Sequence, residues 1–200
     1  VPIVYGMTLG EYAQLITGEH WLSEKANQLY DQAKKDQQQG NAAPLLVIHC
    51  ENYTHSKKYR VPVPPSPNLP DMASVYLYPS TCLFEGTSLS EGRGTDRPFQ
   101  WIGHPDLPRH LATFTPNPTE AAKSSKHYGK VCYGWDRGGS ETAVLQRTRQ
   151  QIQVEWLIEA YQLFPNKDQF FLYPQSGNKE ECFFNKLAGN DKLRQQILNA

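Results

Sequence analysis

The sequence predicts an α+β fold, a mixed β-sheet or partial barrel covered by one long amphipathic helix and several smaller helices. Three observations carry that expectation. Short β-branched or aromatic runs recur at Leu45–Cys50, Val75–Tyr78, Cys82–Phe84, His110–Phe114 and Lys130–Trp135. Between Ser140 and Phe164 an apolar stripe of Leu145, Ile152, Trp156, Ala160 and Leu163 follows helical spacing until Pro165 stops it. Proline and glycine clusters separate these runs, which makes the connections turns.

Taken in order, Pro2 to Gly6 reads as an extended stub that implies chain upstream, and Thr8-Leu9-Gly10-Glu11 has the form of a capping box. Tyr12, Leu15 and Ile16 then continue a helix from about Leu9 to Ile16. Ser23 to Gln39 gives a second, solvent-backed helix with Ala26, Leu29, Tyr30 and Ala33 on one face, ended by Gly40-Asn41. Leu45–Cys50 reads as a buried strand that delivers His49, Cys50, Glu51 and, after a turn, His55. Alternation along a strand sends those side chains to opposite faces, so they are not read as a metal site. Five prolines between Val61 and Pro70 force extended backbone and exclude a central strand, leaving a rigid crossing loop that fixes Ser66 and Asn68.

Beyond Pro105, HLATF (His110–Phe114) and KVCYGW (Lys130–Trp135) read as strands, the second with Tyr133 and Trp135 on one face. The long helix follows. Phe170–Tyr173 is a short strand or extended piece, Glu181–Leu187 a helix closed by Gly189, and Asn190 the cap of a last helix bearing Leu193 and Ile197. The long helix is the natural cover for the sheet.

Composition narrows the function classes. The 200 residues suit one domain, and 20 basic against 20 acidic side chains leave no global field for nucleic acid or an anionic membrane surface. Anion recognition must therefore be local. No apolar run approaches the roughly 20 residues of a membrane span. Cys50, Cys82, Cys132 and Cys182 form no CxxC pair, which argues against structural zinc and leaves both buried thiols and two disulfides open. No metal or other cofactor is expected.

Chemistry concentrates between Tyr76 and Pro105. Glu85-Gly86-Thr87 and Glu91-Gly92-Arg93-Gly94-Thr95 read as turns at strand ends, and Asp96-Arg97 follows. Glycines beside Arg93 allow positive φ and close approach of a ligand. Arg93 and Arg97 then offer planar forks for a carboxylate or phosphate. The alternative is structural, with the arginines pairing with Glu91 and Asp96 to hold the loop.

The blocks Val4–Glu19, Pro65–Pro70 and Tyr78–Pro105, the last containing EGTSLSEGRGTDRPF, together resemble the NamZ-type exo-β-N-acetylmuramidase family, once a domain family of unknown function. The resemblance covers most of the chain. It departs at Leu22–Ala43, which reads as an insertion, and at Ser140–Gln150. It implies the C-terminal portion of a longer periplasmic or exported enzyme of bacterial cell-wall breakdown and recycling, with an N-terminal Rossmann-like domain as intramolecular partner and the cleft between the two. The family's proposed catalytic glutamate is expected in that N-terminal half.

The implied ligand is a muramic-acid-containing glycan, whose lactyl carboxylate suits Arg93 or Arg97. Asn68 and Thr95 are then candidates for sugar hydroxyls or the acetamide, with Glu91 in the same substrate-binding group. Glycoside hydrolysis requires a pair of carboxyl groups about 5–10 Å apart. Glu85 is the in-chain candidate for one of them, against the alternative that it salt-bridges Arg93 or Arg97. Two other classes compete. A non-catalytic carbohydrate- or peptidoglycan-binding module would use the same side chains. A serine or cysteine hydrolase would need a nucleophile elbow, and Ser80-Thr81-Cys82 supplies no G-x-S-x-G.

Overall fold

The computed structural model describes residues 6–40, 43–54, 56–149, 151–175 and 181–200. The expected extended start at Pro2–Tyr5, and His55, lie outside them. Contacts divide the chain into two compact units, Val1–Tyr59 and Arg60–Ala200.

In the first unit the capping box forms as the sequence dictates. Thr8 Oγ1 accepts from Glu11 N at 3.2 Å, Glu11 Oε2 accepts from Thr8 N at 2.6 Å, and α1 runs Leu9–Gly18. Ser23 caps α2 (Glu24–Gln38) by accepting from Ala26 N. Leu45–Cys50, expected as a buried strand, forms none, and Leu46 and Ile48 are 77% and 86% exposed. A strand exists only where a neighbour completes its ladder, and among the described residues none flanks this run.

The second unit begins with the largest departure from the sequence reading. Val75–Tyr78 and Cys82–Phe84, expected as strands, lie instead in α3 (Met72–Thr81) and a following 3₁₀ turn (Cys82–Gly86). Asp71 caps the helix by accepting from Ser74 N at 2.7 Å. Met72, Ala73, Ser74, Leu77, Ser80 and Thr81 are all buried, so α3 is enclosed on several sides and shows no single apolar stripe. Periodicity cannot tell such a helix from a buried strand.

Three strands form one antiparallel sheet in the order β1-β3-β2: β1 (Trp101–His104), β2 (Ala112–Phe114) and β3 (Cys132–Asp136). The sheet is thus small and wholly antiparallel, where a mixed sheet or partial barrel was expected. β2 falls inside HLATF, and β3 overlaps KVCYGW but runs one residue past it, to Asp136. Ile102 opposite Trp135 and His104 opposite Tyr133 share the face turned to the core, whereas Trp101 lies opposite Asp136 on the other face.

The expected long covering helix is two helices, α4 (Glu141–Thr148) and α5 (Glu155–Leu163). Arg149 ends α4 in the left-handed conformation at φ +48. Gln153 fixes the break: its side-chain amide donates to Thr148 O and Gln151 O, and its backbone N donates to Ser80 Oγ. The expected stripe holds only in part: Ile152, Trp156 and Ala160 pack on the core, whereas Leu163 is exposed and α4 enters the core through Val144. That core joins Leu77, Leu83, Phe84, Ile102, Val144 and Leu157 with the Phe164, Phe170, Phe171 and Phe184 rings. Phe171 makes only an isolated bridge with Thr87, and the chain ends in α6 (Phe183–Ala188), closed by left-handed Gly189, and α7 (Lys192–Leu198). Asn190, expected as the cap of α7, stands one residue before the N-cap Asp191, and its Oδ1 accepts from Lys192 N at 3.0 Å.

Residues of the proline-rich stretch fold with this second unit: Arg60 pairs with Glu141 at 2.6 Å, and Asn68 Nδ2 donates to Ala121 O at 3.2 Å. All four cysteines are free thiols, Cys132 and Cys182 buried, Cys50 exposed. Burial raises the Cys82 thiol to about 11 and the Cys132 thiol to about 12, which suppresses thiolate formation at neutral pH.

Candidate functional site

The loop from Glu85 to Phe99 joins the end of α3 to β1, and its own backbone makes it rigid. Gly92 and Gly94 have φ +79 and +84, where a side chain is strained, and a Cβ on Gly94 would lie 2.6 Å from Asn117 O. Gly94 O accepts from Asn117 N at 2.7 Å. Thr95 Oγ1 donates to Gly92 O at 2.7 Å and accepts from Arg97 N at 3.1 Å, so this hydroxyl is used within the loop. Phe99 has φ +63, costly for a bulky residue, and its N donates to Glu91 O at 2.7 Å.

Lys126 supports the loop from beneath. Its ammonium reaches Phe84 O at 3.0 Å, Glu85 O at 3.2 Å, Leu89 O at 3.0 Å and Glu91 Oε2 at 3.1 Å. The Glu91 side chain is only 4% exposed. A carboxylate so enclosed requires a cation, and Lys126 is that cation.

On this base stands the acid–base cluster. Arg93 NH2 lies 2.9 Å from Glu85 Oε2, and Arg93 Nε lies 3.7 Å from Glu91 Oε1, too long for a hydrogen bond. The guanidinium also lies 5.1 Å from the centre of the Phe99 ring. Arg97 belongs to a neighbouring array: both its terminal nitrogens bond Asp136, at 2.9 and 3.3 Å, and it lies over Trp101, which stacks on Phe114. Each arginine side chain is 35% exposed.

The structure therefore brings Glu85, Glu91 and Arg93 together, with Arg97 and Thr95 on the same loop. Asn68 is elsewhere, and none of its hydrogen bonds runs to the cluster. Of the structural pairings foreseen from sequence, those of Arg93 with Glu85 and with Glu91 form, and only that of Arg97 differs in partner. Arg93 takes Glu85 as well as Glu91, and Arg97 takes Asp136 in place of Asp96. Lys126 and Phe99 were missed: one sits in a polar loop without a distinguishing pattern, and the conformation of the other leaves no compositional trace.

Tyr133 and Trp135, which share one face of β3, pack against the core, and Arg137 lies 5.3 Å from the Trp135 ring. A separate cavity of about 450 Å³ is lined by Arg60, Pro64, Leu69, Met72, Val75 and Glu141, and no residue of the cluster borders it. Among the described residues no helix is long and apolar enough to cross a membrane.

An α+β chain of two units, the second presenting a braced loop of carboxylates and guanidinium groups, is the class of protein defined so far. Comparison with known proteins makes it particular. Residues 76–200 match the family profile "Exo-beta-N-acetylmuramidase NamZ, C-terminal" and residues 1–73 match its N-terminal counterpart. The chain belongs to the NamZ family. It is 31% identical over 220 residues to the peptidoglycan β-N-acetylmuramidase NamZ of Bacillus subtilis (strain 168), a match covering all of this chain and 45% of that protein. It is also similar to the crystal structure of a DUF1343 family protein from Bacteroides fragilis NCTC 9343, at 39% identity and a TM-score of 0.74, covering 98% of this chain and 48% of that one. A second DUF1343 structure from the same organism, at 19% identity and a TM-score of 0.62 over 99% of this chain and 50% of that one, shares the fold. The chain thus spans about half the length of these relatives.

Proposed function

We propose that this chain supplies the substrate-recognition part of a glycoside hydrolase that removes terminal N-acetylmuramic acid from peptidoglycan. The observation that carries this reading is Arg93. Its guanidinium is part-exposed on a rigid loop, is held by one close ion pair to Glu85, and keeps a buried Nε without a hydrogen-bond partner. The buried Nε faces Glu91 at 3.7 Å, and the exposed side of the fork is what an added carboxylate would meet; the lactyl group of muramic acid supplies one. Arg97, whose fork is occupied by Asp136, is the weaker candidate for the same role.

Membership of the NamZ family supports the substrate class, and the match of residues 1–73 to the family's N-terminal profile supports a larger N-terminal domain as partner. In this reading that domain is Rossmann-like and brings the principal catalytic glutamate, and the protein works where peptidoglycan is, in the periplasm or outside the cell. Glu85 is the in-chain carboxylate closest to the proposed ligand. Its ion pair with Arg93 favours holding that arginine over donating a proton.

A non-catalytic peptidoglycan-binding module is the second reading, favoured by the same pairing of Glu85 with Arg93. A 4-nitrophenyl muramic acid glycoside separates the two: chromophore release supports the hydrolase, and binding without release supports the module. Arg93→Ala is expected to weaken binding of the muramic acid glycoside about tenfold or more in the full-length protein. Unchanged affinity removes Arg93 from the site.

A further inference from the structure

We infer that Tyr78 is a sugar-contacting residue of this site, its phenol ring and hydroxyl meeting the pyranose of the amino sugar whose carboxylate Arg93 holds. The inference rests on the muramic acid reading above and adds a contact that recognises the sugar body in place of its acid.

Position is the first argument. Tyr78, Cys82 and Glu85 stand at i, i+4 and i+7 along α3 and its 3₁₀ extension, a spacing that brings them to one side. Tyr78 is 37% exposed between the fully enclosed Leu77 and Phe99. Its ring meets Phe99 edge-on, with centroids 4.9 Å apart and planes at 75°, and Phe99 carries Arg93 5.1 Å from its centroid. Tyr78, Phe99 and Arg93 therefore form one continuous array, with Glu85 bound to its far end.

The second argument is strain. A phenylalanine at φ +63 persists only where its surroundings enforce it. Here the hydrogen bond from its N to Glu91 O and the close packing of the ring do so, and the ring that results separates the tyrosine from the arginine at fixed spacing. Thirdly, the Tyr78 hydroxyl has no hydrogen-bond partner among the described residues. Burial and the Glu85 charge both raise its pKa, so it stays protonated and able to donate. An amphipathic ring with a free hydroxyl suits a pyranose, which presents C–H faces and a rim of hydroxyls.

Isothermal titration of the full-length protein with N-acetylmuramic acid and with N-acetylglucosamine, which lacks the lactyl carboxylate, tests this. Tyr78→Ala is expected to weaken both sugars about three- to tenfold with an unchanged unfolding temperature. Tyr78→Phe should recover the part of that loss due to the ring and not the part due to the hydroxyl, whereas Arg93→Gln should erase only the preference for the acidic sugar. If Tyr78→Ala does not fold, Tyr78→Leu, which preserves bulk without ring or hydroxyl, carries the same expectation. Equal affinity of wild type and the tyrosine variant for both sugars overturns the inference and leaves the muramic acid reading standing. A wild-type protein that binds neither sugar overturns both.

Discussion

Arg93 meets the Glu85 carboxylate at 2.9 Å, and this one pair ties the two glycine-bearing turns of the loop together. Glu85 is the more enclosed partner, at 17% side-chain exposure against 35% for Arg93. An ion pair this accessible contributes little to stability, about 1 kcal/mol at most after solvent screening. Glu85→Gln is therefore expected to lower the unfolding free energy by less than about 1 kcal/mol, with kcat in the same decade. Denaturant unfolding and steady-state kinetics on one preparation check this. A hundredfold or greater fall in kcat at unchanged stability would instead make Glu85 a group that acts in the chemistry.

Lys126 has a different weight. Its ammonium bonds three backbone carbonyls and the enclosed Glu91 carboxylate, so Lys126→Met leaves a buried charge and three acceptors without their donor. Breaking a buried pair from one side costs about 3–5 kcal/mol, and the partial exposure of the lysine lowers that to about 2–4 kcal/mol. Glu91→Gln, which removes the charge and retains an acceptor, should cost less. Urea unfolding of both variants gives the order, and the reverse order would remove Lys126 as the support of the loop.

The loop chemistry was legible in the sequence because glycines, acids and arginines cluster there in a pattern that few structural tasks require. Helices with one exposed face were legible too, as α1 and α2 follow from their caps and stripes. Elements buried on several sides were not. Val75–Tyr78 has the same β-branched and aromatic content in α3 as it would have in a strand, and only Asp71 acting as a cap distinguishes the two. The Ser140–Phe164 stripe continued across a break because Ile152 packs on the same core as Trp156. The Arg149 conformation that ends α4 has no signature in residue type. Strand β1 went unseen since four residues, one of them Gly103, are too few to alternate visibly. Within the site, contacts between distant segments such as Arg97 with Asp136 were beyond any local pattern.

Backbone geometry at Gly94 gives a third expectation. Gly94→Ala puts a Cβ 2.6 Å from Asn117 O at a residue with φ +84, and backbone cannot easily retreat. A cost of about 2 kcal/mol or more is expected, together with weaker ligand binding as the Arg93 turn shifts. Gly129→Ala is the matched control: it has φ +68 but open space, so only the conformational cost of about 1 kcal/mol applies. Thermal unfolding of the pair separates crowding from strain, and equal costs would show that crowding at Asn117 contributes nothing.

The fourth expectation concerns pH. His104 is buried, with its ring edge-on to His127 at 4.3 Å and to Phe164 at 4.8 Å. Its Nδ1 accepts from Asp106 N at 3.0 Å, which only an unprotonated nitrogen can do. Burial first, then the neighbouring His127 and Lys130, lower its pKa from 6.5 to about 4, while Asp106 pulls the other way. His127, which bonds Ser88 O at 2.7 Å and lies near Lys126 and Lys130, is lowered too, again chiefly by burial. The unfolded chain thus binds more protons than the folded one between pH 6.5 and about 4. The stabilisation from a neutral His104 is complete above pH 6.5 and is lost as pH falls toward 4, by about 3 kcal/mol at about 1.4 kcal/mol per pH unit. Denaturant unfolding of wild type from pH 7.5 to 4.5 should show this decline, and His104→Gln should flatten it between pH 6.5 and 5. An equal slope in that variant would move the proton uptake to another group and leave the His104 and His127 contact without a role in acid sensitivity.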